Sequence, residues 1–336
     1  MKEAKSAVIR AGIVGLGRWG QRLVDSVQGH SVESSKLIRF DACWTRTPSN
    51  SLYYANQRRM NMASSFEHIL SDPNLDAIVL ATPHSLHASQ VKACAAAGKA
   101  VYVEKPLALT LNDANEVVSA CERVGVVLAV GHNRRFLPAV QAVIEMVRRG
   151  ELGTLLHIEG NFSGSFGLDY DSSAWRASES EAPAGGLTLM GIHTLDAMIS
   201  LMGMIQSVSA MSLRQVLKIK LDDTSSCSLR FSNGTSGYMS TLTASARLWR
   251  LQLFGTKGWV HVLDHERLEL SILGKNFEQR NFEPLDAERI ALEHFALAVA
   301  GKASFPIEIA QVLNGIAACE AFIESVQSQS RIITIS

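Results

Sequence analysis

A doubly wound α/β domain followed by an α+β domain with a large, mostly antiparallel open sheet is the fold class this sequence predicts, on three observations. Short apolar runs alternate with helical spacing without a break from residue 8 to about 131, the pattern of a parallel sheet with helices on both faces. From Thr154 the texture changes to a succession of strand-like runs, the pattern of an antiparallel sheet. The chain has 336 residues, 47% of them hydrophobic, which is material for two cores. The boundary is expected after residue 131, giving domains of residues 1–131 and 132–336.

The first strand, Arg10 to Val14, runs into Gly15-Leu16-Gly17-Arg18-Trp19-Gly20 and then Leu23, Val24 and Val27 at helical spacing. In such a turn the first glycine permits the tight bend, the second lets backbone approach a pyrophosphate, and the third allows close packing of the helix whose amino terminus faces the phosphates. A glycine turn alone is weak evidence. Strand before and helix after supply the context that points to a dinucleotide site.

The second strand, Leu37 to Trp44, ends in Thr45-Arg46-Thr47-Pro48, where an acid would grip the ribose 2′-hydroxyl of NAD. No acid stands there, and Asp41 comes too early. A hydroxyl and a guanidinium at Thr45 and Arg46 suit a 2′-phosphate, which points to NADP, with NAD as the other nucleotide to be considered.

The next strand, Asp76 to Ala81, stops at Thr82-Pro83-His84, and a helix from Ser85 to Ala97 follows. Ala81, Thr82, Pro83 and His87 are expected beside the cofactor. His84 and His87 have no cysteine or carboxylate cluster beside them, so no metal site is expected. The run Val101-Tyr102-Val103 then delivers Glu104-Lys105-Pro106 at another carboxyl edge, where ligands of open α/β sheets bind. Lys105 is the first candidate for an acid/base group. A helix, Thr110 to Val124, and a strand, Val126 to Val130, lead to Gly131-His132-Asn133-Arg134-Arg135. Asn133 is expected at the cofactor, and Arg134 and Arg135 could reach phosphates or a substrate carboxylate.

After a helix from Pro138 to Arg149, strands are expected at Leu155 to Phe162, Ile205 to Val216, Thr224 to Phe231, Thr235 to Leu242, Trp249 to Phe254 and Trp259 to Val262. One helix, Gly186 to Met202, interrupts them and carries His193. Two helices, about Glu288 to Ala300 and Pro306 to Gln327, and a short strand, Ile332 to Ile335, complete the reading.

The glycine turn, Thr82-Pro83, Glu104-Lys105-Pro106, Arg134-Arg135-Phe136 and Trp175-Arg176…Gly185-Gly186…His193-Thr194-Leu195-Asp196 together resemble the glucose-fructose oxidoreductase, inositol dehydrogenase and rhizopine catabolism (Gfo/Idh/MocA) family. The resemblance implies an N-terminal Rossmann dinucleotide-binding domain followed by a C-terminal α+β domain. It implies pyridine-nucleotide chemistry on sugars, polyols or their derivatives, and assembly through the sheet face. Lys105 would exchange the hydroxyl proton and His193 would polarise the same oxygen, with Arg176 near cofactor and substrate. The family usually carries an aspartate four residues before the histidine; here that place is Leu189, a substrate-side position that cannot accept a hydrogen bond. Asp196, three residues beyond His193, could orient the imidazole or serve a structural partner.

Lysine plus arginine and aspartate plus glutamate both number 32, so charge gives no reason to expect nucleic acid or a membrane surface as partner. Met1 to Arg10 lacks the apolar core of a signal peptide, and no apolar run approaches the roughly 20 residues of a membrane span, so a cytoplasmic protein is expected. Five scattered cysteines suit reduced thiols. The expected function is an NADP-preferring oxidoreductase acting on a secondary alcohol or ketone, as a homodimer or homotetramer. The other reading, prompted by Leu189, is a non-catalytic NAD(P)-binding regulator or scaffold.

Overall fold

The structure is a computed structural model describing residues 8–30, 32–171 and 174–335. Residues 1–7, part of the stretch read above for a signal segment, lie outside the described residues. The chain divides into two compact units. One comprises Met1–Ala108, Asn112–Asn133 and Asp286–Ile309, the other Leu109–Leu111, Arg134–Leu285 and Ala310–Ser336.

In the first unit six strands lie parallel: β1 (Ile9–Val14), β2 (Ile38–Trp44), β3 (Asn61–Met62), β4 (Ala77–Leu80), β5 (Ala100–Val103) and β6 (Leu128–Val130). Their spatial order is β3-β2-β1-β4-β5-β6, so the winding reverses between β1 and β4 and opens a crevice at the carboxyl ends. The crossovers carry α1 (Arg18–Gln28), α2 (Leu52–Gln57), α3 (Phe66–Ser71), α4 (His84–Ala96) and α5 (Leu111–Val124). Strands β4 and β5 are buried at every position, which is why they read as unbroken apolar runs. The short α2, β3 and α3 had no periodic signal long enough to read.

The sequence reading places residues 286–309 in the second domain, but they pack in the first unit. Chain order gives no hint of this return. Arg22 of α1 pairs with Asp286 at 3.0 Å and Glu288 at 2.8 Å, and Phe295 meets Tyr102 edge-on at 5.7 Å between ring centres. Glu288 and Phe295 belong to the helix Ala287–Val299, and the unit changes between Asn133 and Arg134.

The second unit is built on nine strands: β7 (Leu155–Ser163), β8 (Ile205–Leu213), β9 (Thr224–Phe231), β10 (Ser236–Leu242), β11 (Leu248–Gly255), β12 (Gly258–Val262), β13 (Arg267–Ile272), β14 (Glu278–Asn281) and β15 (Ile333–Thr334). Their order is β14-β13-β12-β11-β7-β10-β9-β8-β15, antiparallel except where β10 joins β7. Strands β13 and β14 were not anticipated. The helix Ile192–Met202 lies against β7 at Gly160, where an added Cβ would meet the Thr194 methyl at 2.4 Å. Ile158, Phe162, Leu229, Met239 and Leu251 line this covered face.

The other face alternates with the first and is largely polar. Glu159, Tyr238, Ser228 and Gln252 stand in one cross-strand row, Asn161, Ser240, Ser226 and Arg250 in the next. It presents hydroxyls, amides and charges rather than a large apolar patch. Contrary to the reading that no apolar run approaches a membrane span, the helix Ile309–Gln327 is long and apolar enough by length and composition to cross a membrane. Within the second unit it buries Val312, Ile316, Ala318 and Phe322, and its Asn314 bonds both the N–H and C=O of Ile205, at 2.8 and 3.0 Å.

Candidate functional site

The glycine turn after β1 has the shape its residues require. Gly15 has φ +91°, and a Cβ there would lie 2.5 Å from the Ala81 carbonyl. At Gly20 a Cβ would lie 2.0 Å from the Gly15 carbonyl, so only glycine lets α1 press against the turn. A Cβ at Gly17 would meet nothing within 4 Å, which leaves that side open for a ligand. Gly17 caps α1 with no side-chain bond and the first turn carries no acid. The N–H groups of Arg18, Trp19 and Gly20 are thus presented as an anion-binding end. The residues fit a pyrophosphate.

Ser51 ties the segment after β2 to this turn, donating its hydroxyl to the Leu16 carbonyl at 3.0 Å. Thr45 is half-buried and Arg46 exposed, and Arg46 forms no ion pair among the described residues. Asp41 is held by both Arg10 and Arg39. Burial works to raise its pKa, but the bonds from Arg39 and Arg10 win and keep it below the ordinary carboxylate value. It is therefore occupied away from the strand tip.

At the neighbouring edges, Ala81 continues β4, donating its N–H to Val14, and the Thr82 hydroxyl donates to Gln90 at 2.6 Å. His87 is fully buried, with Nδ1 2.7 Å from the Pro106 carbonyl and Nε2 3.1 Å from the Thr82 carbonyl. It braces the β4 and β5 edges rather than offering a nitrogen to a ligand, a correction to its expected place at the cofactor. Lys105 leaves β5 half-buried, and the Lys105–Pro106 peptide is cis. Glu104 is buried, its N–H donated to the Leu80 carbonyl. Burial is the main cause that raises its pKa, to about 7, with Glu288 adding and Trp19 and Lys105 opposing. Asn133 is also buried and donates to Glu288 at 2.8 Å.

The second unit gathers the other candidates. Leu187–Gly191 is wound as a π-helix and runs directly into Ile192–Met202, so the stretch bearing Leu189 and His193 is one distorted helix. His193 is buried, its ring 6.1 Å from that of Phe162. Arg134 stacks its guanidinium over Phe162 at 4.3 Å and Trp249 at 4.9 Å, and donates to His265 Nε2 at 2.6 Å. Burial first, then Arg134 and Arg247, push His265 down to about 4, so its imidazole is neutral and able to accept. Phe162 and Trp249 carried no sequence signal beyond that of ordinary strand residues, and His265, in the turn between β12 and β13, carried none. Arg176 stacks over its neighbour Trp175 at 4.1 Å.

Arg135 binds Asp196 through two bonds of 2.7 Å and also reaches Gln311. This places Asp196 in a buried structural pair and withdraws Arg135 from any role toward phosphate or substrate. Leu189 packs with Ala182, Leu217 and Leu221, flanked by Phe166, Tyr170 and Ile219. The loop supplying Leu217, Ile219 and Leu221 is fixed by Asp223, whose Oδ2 accepts from the N–H groups of Gln215, Val216 and Leu217 at 2.7–3.1 Å. Burial opposes the Asp223 charge, but these bonds hold its pKa below the ordinary value. An apolar cluster thus stands where the family's usual aspartate would be.

The comparisons agree with these two units. Residues 9–132 match the model of an oxidoreductase family with an NAD-binding Rossmann fold, and residues 140–261 match the GFO/IDH/MocA C-terminal domain. The oxidoreductase YrbE of Bacillus subtilis (strain 168), itself uncharacterized, is 30% identical over 261 residues, 74% of this chain and 72% of that protein. Trans-1,2-dihydrobenzene-1,2-diol dehydrogenase of Sus scrofa is 30% identical over 201 residues, 60% of this chain and 58% of that enzyme. A structure of levoglucosan dehydrogenase in complex with NADH and levoglucosan shares the fold, with a TM-score of 0.88 at 22% identity over 97% of this chain and 99% of that one. With the glycine cradle, the lysine edge and both domain types in place, this chain belongs to the GFO/IDH/MocA oxidoreductase family.

Proposed function

We propose that this protein is an NADP-preferring dehydrogenase or reductase that moves a hydride between the nicotinamide and a secondary alcohol or ketone of a small cyclic substrate. The observation that carries this reading is that Lys105 leaves the carboxyl end of β5 on the same sheet edge as the open Gly17 cradle. When bound, the nicotinamide supplies or accepts the hydride; Lys105 gives or takes the proton of the reacting hydroxyl. His193, on the distorted helix, is assigned to the substrate oxygen. The apolar cluster at Leu189 suits a ring with fewer hydroxyls than an open sugar, and similarity to a diol dehydrogenase supports that choice.

Preference for NADP rests on the exposed Arg46 and on Asp41 being engaged elsewhere. Arg46→Ala is expected to weaken NADP binding by about 1.5–3 kcal/mol, the value of a charge-assisted bond, and to leave NAD binding unchanged. Titration of both nucleotides followed by tryptophan fluorescence checks it, and equal affinity of the unaltered protein for the two would contradict the preference.

Self-association through the open face of the nine-stranded sheet belongs to the same proposal. With rows of hydroxyls, Tyr238 and the Arg250–Glu159 pair (3.2 Å), such an interface would be polar and hydrogen-bonded. Sedimentation at micromolar concentration is expected to give a dimer or tetramer; a monomer alone would rule this out.

A further inference from the structure

The carboxyl group of Glu104 is set in an unusual place for an anion. It lies at the end of β5, 6% exposed, on the face where Tyr102 meets Phe295. A Cβ at Gly131 would come within 2.7 Å of Glu104 Oε1 and 3.0 Å of the Tyr102 hydroxyl, so glycine alone leaves room for the two oxygens there. Neither oxygen has a hydrogen-bond partner among the described residues. Trp19 of the glycine turn faces the carboxyl and lowers its pKa, yet its indole N–H falls outside regular hydrogen-bond geometry.

The charges around Glu104 come from three elements. Lys105 follows it in the chain and favours the anion. Glu288, on the helix Ala287–Val299, disfavours it, and is itself bonded by Asn133 and Arg22, the latter also holding Asp286. The cation next to Glu288 is therefore already shared by two carboxylates. A buried carboxyl with an unpaired oxygen and a neighbouring anion gives up its proton less readily than an exposed one.

In this strand order one mononucleotide half binds over β1-β2-β3 and the other over β4-β5-β6, which places the nicotinamide half above the edge that carries Glu104. The oxidised ring is positively charged and the reduced ring neutral. We propose that Glu104 is a charge-responsive positioning residue of the cofactor site: it holds its proton more tightly when the site is empty or holds the reduced nucleotide, and releases it to solvent when the oxidised nucleotide binds. The inference rests on the cofactor reading above. Its balance is simple: protonated protein plus oxidised nucleotide gives the complex, with Glu104 ionised against the ring, and one proton.

Below the pH at which Glu104 ionises in the free protein, binding of the oxidised nucleotide must displace a proton, so its affinity falls as pH falls. Binding of the reduced nucleotide carries no such requirement. Calorimetric titration of NADP⁺ and NADPH into the full chain is expected to show the ratio of their dissociation constants rising about tenfold from about pH 8 to about pH 6. The 2′-phosphate, which itself titrates near pH 6, is common to both and cancels in the ratio. Near neutral pH, buffers of different ionisation enthalpy should report about half a proton released per NADP⁺ and none per NADPH.

Glu104→Gln should flatten the ratio. Should that variant fail to fold, the proton count of the unaltered protein decides alone, supported by Trp19→Phe, which should move the pH dependence upward by removing an indole that favours the anion. A ratio independent of pH, or equal proton release for both nucleotides, overturns the proposal while leaving cofactor binding intact. Failure of either nucleotide to bind overturns the cofactor reading and the proposal with it.

Discussion

Lys105→Ala is expected to lower kcat by about 10²- to 10⁴-fold, the usual contribution of a positioned acid or base, while the affinity for NADP stays within about twofold of its starting value. The split matters because Lys105 sits at the edge of the nucleotide crevice, where a merely structural lysine would change cofactor binding and stability instead. Steady-state rates and a nucleotide titration on the same preparation check it. Loss of rate with parallel loss of NADP affinity would assign Lys105 to cofactor binding, and unchanged rate would remove it from the chemistry altogether.

Arg135→Ala is expected to lower the unfolding free energy by about 3–5 kcal/mol. The side chains of Arg135 and Asp196 are 7% and 5% exposed, and truncation leaves the Asp196 carboxylate buried without its two 2.7 Å bonds. Replacing both partners by apolar residues of similar size, Arg135→Met with Asp196→Leu, should recover most of the loss, because then no charge is left buried alone. Denaturant unfolding of the unaltered protein and the two variants measures both numbers. A cost below about 1 kcal/mol for the single substitution would show that the pair is solvated like a surface ion pair.

Much of the first unit was legible because its strands are buried on both faces and its turns carry glycine where backbone conformation demands it. The run Ala77–Leu80, the Gly15 turn and the Glu104-Lys105-Pro106 edge could be placed from residue type alone. Long-range partners could not. Asn133 and Glu288 are 155 positions apart, and Arg22 and Glu288 are 266 apart, so nothing local announces that the helix Ala287–Val299 returns to the first sheet. His87 was misread for the same reason, since its second carbonyl partner is Pro106, nineteen residues on. In the second unit the strand alternation is visible in the sequence, and so is the character of the open face. Ser226, Ser228, Ser236, Tyr238 and Ser240 all fall on one face, and the alternation already implied a polar surface there. The cluster around Leu189 depends on a loop that Asp223 folds through three backbone bonds, which no local pattern announces.

Hydride transfer followed by nicotinamide absorbance, with a panel of cyclic diols, anhydro-sugars, polyols and their ketones offered with NADP⁺ or NADPH, tests the proposed activity most directly. The account predicts turnover on secondary alcohols or ketones of rings that present bare carbons toward Leu189, ahead of fully hydroxylated sugars, and faster with NADP than with NAD. Tight nucleotide binding with no turnover on any member of the panel would contradict it.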